Sequence, residues 1–166
     1  MDKNLSFKKR YFLIFSVFLI FAGGWGFFSS FGKGEKLFRK GEYEKAEKKF
    51  LESVKEGKEV YRSWVYLGRI YAIKGEVKKA IQILEKARDS FPKSPDAYYF
   101  LAIVYQLDMR YHDAEKAINK LSNMPGLYRG FVVAPIQPPV GAFAGQPLKP
   151  GKKKLYLDIL KGKVKD

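Results

Sequence analysis

Apolar and small residues return along the middle of the chain at a spacing of 34 residues. Trp64, Leu67, Gly68 and Tyr71 lie over Tyr98, Leu101, Ala102 and Tyr105. Ala46, Ala80 and Ala114 keep the same offset, as do Phe50, Leu84 and Ile118. Within a unit, steps of three, four and seven residues put the large positions on one helical face. The pattern predicts helices over about 61–74, 77–90, 94–107 and 111–123. Gly41 and Gly75 stand where the first helix of a pair must turn into the second, and Met109 replaces them in the last pair. Ser94-Pro95 reads as an N-cap followed by proline at the first helical position, and Phe91-Pro92 closes the helix before it. Such a period marks helix pairs that stack, because one pair alone leaves an apolar face uncovered.

These residues resemble the tetratricopeptide repeat, a helix–turn–helix unit of 34 residues. The middle repeat, Tyr61 to Ser94, carries Trp64, Leu67, Gly68, Tyr71, Gly75, Ala80, Leu84, Ala87 and Pro92. The next has Tyr98, Leu101, Ala102, Tyr105, Ala114, Ile118 and Pro125. The first is degenerate: Gly34, Gly41, Tyr43, Ala46 and Phe50 fit, but Ser30 and Lys33 occupy its opening positions. The resemblance implies an all-α, helix-turn-helix solenoid over 32–125, with two clear repeats and one degenerate one. It also implies that a protein or peptide partner binds the concave surface lined by the first helix of each pair. Projected onto this chain, that surface offers Arg62, Val65, Arg69, Tyr99, Ile103 and Gln106. Arg62 and Arg69 suit a carboxylate-bearing or extended peptide, with Tyr99 as an apolar anchor. Trp64 reads as a core residue. Three units make only a shallow groove, and no clear amphipathic cap helix follows Pro125.

The ends of the chain add further expectations. Lys8, Lys9 and Arg10 close a basic segment over 1–10, and no charge follows from Tyr11 to Phe31. That stretch is long enough to span a bilayer, with Tyr11, Trp25 and Phe31 toward its ends. It is read as a transmembrane anchor; a cleaved signal segment and a buried helix are the alternatives. The basic cluster would then leave the N-terminus cytoplasmic and the repeats on the periplasmic or extracytoplasmic side. Residues 126–166 form a tail. Gly126 to Pro150 holds five prolines among apolar residues, which suits a strap over the last helix pair, a segment ordered by a partner, or disorder. After it, Leu155, Leu157 and Ile159 alternate like a strand, while Tyr156, Ile159 and Leu160 share a helical stripe.

The net charge of +15 adds electrostatic steering of anionic partners. If the repeats lie near a membrane, the C-terminal lysines are placed to touch anionic lipid. No nucleic-acid motif accompanies them. No cysteine is present, which excludes disulfides and thiol chemistry. His112 is the only histidine, so a metal site and acid–base catalysis have little to work with. No phosphate-binding or dinucleotide motif occurs, so no cofactor is expected. The reading is a non-enzymatic, membrane-tethered interaction scaffold of the cell envelope. The alternative is a structural envelope protein that self-associates into a homo-oligomer.

Overall fold

The computed structural model describes residues 29–124 and 150–163. They form seven helices: α1 (Ser30–Arg39), α2 (Tyr43–Lys55), α3 (Val60–Ile73), α4 (Val77–Ser90), α5 (Pro95–Leu107), α6 (Tyr111–Ser122) and α7 (Pro150–Lys161). The first six pair in sequence, α1 with α2, α3 with α4 and α5 with α6, and α2–α3 and α4–α5 join the pairs into one stack. The helices expected in the second and third pairs therefore form, within a residue at each end.

The turn inside each pair is one backbone motif used three times. The N–H of Glu42 donates to Leu37 O, that of Glu76 to Tyr71 O and that of Arg110 to Tyr105 O, at 2.8–3.0 Å. One residue earlier, Gly41, Gly75 and Met109 take φ of +80°, +83° and +59°. This is the glycine-type helix end, in which a left-handed residue lets the chain reverse and satisfies the last carbonyls. Met109 adopts the same turn as the two glycines with a side chain that disfavours it. Met109 is also 45% exposed, so little packing depends on it. Met109→Gly should therefore raise stability by about 0.5–1 kcal/mol, since left-handed backbone costs non-glycine residues about 1–2 kcal/mol and glycine gives some of that back as chain entropy. Urea denaturation measures it.

Ser94 occupies the N-cap position with Pro95 following, but its side chain makes no capping hydrogen bond to the helix. Proline at the first helical position lacks the N–H that would otherwise need a partner, which reduces the demand on the cap.

Packing inside each pair depends on small residues. Ala46, Ala80 and Ala114 are fully buried. At Gly68 the two helices come so close that a Cβ would stand 2.4 Å from Leu84 Cγ. The core divides into two connected clusters. One gathers Phe31, Phe38, Phe50, Trp64, Leu67 and Ile70 around the first two pairs. The other runs through α4, α5 and α6 and takes in Tyr156 and Leu160 of α7. Trp64 is a core residue as expected, edge-on to Phe91 at 6.2 Å with the Lys86 ammonium 4.6 Å from its ring centre.

The N-terminal expectation requires correction. No helix among the described residues is long and apolar enough to cross a membrane. The described end of the 11–31 stretch belongs to the repeat stack: Ser29 caps α1 by accepting from Gly32 N–H at 3.1 Å, and Phe31 is 4% exposed. Its ring lies 5.6 Å from Phe50 and 5.9 Å from Tyr66. An uncharged run records apolarity without saying what covers it, and here the protein's own second and third helices cover Phe31. Residues 11–28 of the run lie outside the described residues, as does the 125–149 portion of the tail. With no membrane-crossing helix among the described residues, the transmembrane anchor, the single-pass topology and the envelope placement built on it are corrected, and the lipid contact loses the premise it depended on.

Candidate functional site

The first helices of the three pairs, α1, α3 and α5, present one continuous face. Positions that follow the 34-residue offset fall together on it, so Phe31, Val65 and Tyr99 form one row and Phe38, Ala72 and Gln106 another. All six are buried. What covers the α3–α5 part of this face is α7, whose main neighbours are α3 and α5.

Two side chains of α7 enter the core completely. Tyr156 and Leu160, four residues apart and so on one face of the helix, are both 0% exposed. They join the cluster that contains Ala72, Tyr99 and Ile103. Each is accompanied by a polar contact. The Tyr156 hydroxyl donates to Gln106 Oε1, which gives the fully buried glutamine a partner. Burial pushes the Tyr156 phenol up to about 12, so the group remains a donor at any ordinary pH. One turn further on, Arg69 Nε donates to the Leu160 carbonyl oxygen at 2.9 Å. The Arg69 guanidinium is flanked by the rings of Phe38, Phe100 and Tyr66, at 4.5, 4.8 and 5.0 Å from their centres. Burial depresses its pKa, opposed mainly by the Tyr66 hydroxyl. An arginine retains its charge against such a shift, so a fixed cation faces the end of α7.

Past that end the face stays open. A cleft of about 240 Å³ is lined by Arg62, Val65, Tyr66, Arg69, Asp96 and Phe100. Arg62 is solvent-exposed and bridges two carboxylates, Glu35 at 3.1 Å and Glu59 at 3.5 Å, with its guanidinium 4.3 Å from the Phe31 ring centre. The Tyr66 hydroxyl donates to the same Glu35 oxygen at 3.0 Å.

The six residues expected on the concave surface thus fall into two groups. Arg69 and Gln106 bond α7, and Tyr99 and Ile103 share its apolar cluster. Arg62 and Val65 line the open cleft. Sequence reasoning missed Phe38 and Phe100, which sandwich Arg69, and Tyr156 and Leu160, which occupy the face. The 34-residue offset from Ala72 to Phe38 was a signal for the first of these; nothing local marked the docking of α7. His112 lies at the start of α6, and no cluster of metal-ligating side chains occurs among the described residues.

Two family models, both described as tetratricopeptide repeat, match the chain, one over residues 31–95 and the other over 71–124. Together they cover the six-helix stack, more than half of the chain. Such repeats are non-catalytic scaffolds, consistent with the non-enzymatic role expected from the sequence. No curated protein and no solved structure matches it.

Proposed function

We propose that this chain, a member of the tetratricopeptide-repeat family, is a protein-interaction scaffold whose concave face takes a helical segment of a protein partner. Arg69, Tyr99, Ile103 and Gln106 form the seat, and Arg62 and Val65 line its open end. The observation that carries this reading is α7 itself. A helix lies on the face, two of its side chains are fully buried there, and its polar atoms meet Arg69 and Gln106. A face that accepts one amphipathic helix has the shape and hydrogen-bonding groups to accept another, which is the helix-in-groove mode of recognition.

The test is cross-linking in the source cell with the full chain, wild type against Arg62→Glu with Tyr99→Ala. A protein partner that is recovered with the wild type and lost with the double variant is the expected result. A partner retained by the variant would move the site elsewhere. Recovery of copies of this chain alone would replace the scaffold reading with self-association.

A further inference from the structure

The position of α7 has a consequence for regulation. An α-helix leaves its last carbonyls without partners inside the helix. At the end of α7 three of them, on Asp158, Ile159 and Leu160, have partners. Gly162, at φ +70°, closes a glycine-type turn in which Lys163 N–H donates to Asp158 O and Gly162 N–H to Ile159 O, both at 2.9 Å. The next carbonyl, Leu160 O, goes to Arg69. A Cβ on Gly162 would lie 3.4 Å from Arg69 Nη2, so the guanidinium sits directly against the turn. A cation there also complements the negative end of the helix dipole. The seat is therefore matched to the C-terminal end of a helix, and the occupant is part of the same chain.

We propose that α7 is a tethered competitor that holds the concave face closed, and that the partner displacing it is an amphipathic helix with a tyrosine four residues before a leucine, ending at Arg69. This rests on the reading of the concave face as a binding site given above. The chemistry of the partner follows from the seat. Gln106 accepts from an aromatic hydroxyl, the Tyr99–Ile103 cluster takes a leucine one turn later, and Arg69 takes that leucine's carbonyl. The outer side of α7 carries exposed Lys153 and Lys154, which make no demand on the groove. Because residues 125–149 tie α7 to α6, it faces its seat at an effective concentration on the order of millimolar. A free peptide whose affinity for the open seat is micromolar is then disadvantaged by about 10²- to 10³-fold.

The experiment titrates a fluorescent synthetic peptide of residues 150–163 onto three full-length proteins. They are the wild type, a Tyr156→Ala/Leu160→Ala variant, and a chain with a protease site at Gly141 that is cut after folding. Circular dichroism and cooperative urea unfolding establish that the repeats remain folded, and the cut chain keeps every seat residue should the variant fail. Binding to the variant and to the cut chain, with at least about 100-fold weaker binding to the uncut wild type, is expected. Introducing Arg69→Ala into the cut chain should abolish it. Equal binding to wild type and cut chain, still lost with Arg69→Ala, would overturn the competitor while leaving the concave site standing. Absence of binding to both opened forms would overturn the competitor and the concave site together.

Discussion

Phe50→Ala is expected to cost about 3–5 kcal/mol, the range for removing a fully buried aromatic side chain. The Phe50 ring is 0% exposed and stacks on Tyr66 with centres 4.7 Å apart and planes 11° from parallel. It also meets Phe31 at 5.6 Å, so it ties α2 both to α1 and to the next pair's α3. Aromatic pairs of this kind add about 0.5–1.5 kcal/mol beyond the area they bury. In a stack whose units interact only with neighbours, the loss stays local. Hydrogen exchange should therefore show α1 and α2 opening first, while α5 and α6 retain their protection. Uniform loss across all helices would mean that the stack folds as one unit and that Phe50 is no local tie.

The second large effect is a coupling. Gly68→Ala should destabilise the protein by about 1–3 kcal/mol, since the added methyl overpacks a filled site. Its Cβ would lie 2.4, 2.7 and 3.0 Å from three carbon atoms of Leu84. The helix-propensity gain of alanine over glycine, about 1 kcal/mol, offsets only part of this. Leu84→Ala alone should cost about 2–5 kcal/mol by leaving a cavity. In the double variant the new methyl enters that cavity, so the combined loss should fall short of the sum by about 1 kcal/mol or more. Guanidinium denaturation of the four proteins provides the cycle. Additive losses would show that the α3–α4 distance adjusts freely and that Gly68 does not set it.

The stack was legible in the sequence because its cause is local and repeated. The apolar face of each helix and the turn at Gly41 and Gly75 recur at one offset, and the four helices of the second and third pairs follow from them. The first pair looked degenerate because Ser30 and Lys33 stand where large residues were sought. Phe31 and Phe38 supply the bulk from neighbouring positions on the concave side, which shifts the packing without breaking it. Phe31, at the end of the uncharged run 11–31, belongs to this stack; uncharged length cannot distinguish lipid from a protein core as the surroundings of a side chain.

The seat was half legible. Repeat geometry placed Arg62, Val65, Arg69, Tyr99, Ile103 and Gln106 on one face, but it carried no information about what lies there. The bond from Arg69 to Leu160 spans 91 positions and joins a helix to a segment whose own pattern suits strand or helix equally. Tertiary contact decides that segment: Tyr156 and Leu160 find a seat only if the backbone is helical. In the sequence Arg69 reads as a cation awaiting a peptide carboxylate, whereas three aromatic rings surround it.

The measurement that bears most directly on the central claim is hydrogen exchange across residues 150–161 of the full-length protein, wild type beside Tyr156→Ala/Leu160→Ala. The account predicts that the backbone amides of Leu157 to Leu160 are protected in the wild type. In the variant that protection should vanish while α5 and α6 keep theirs. Exchange of these amides at the rate of an unstructured peptide in the wild type would contradict the account, because the concave face would then have no helix on it.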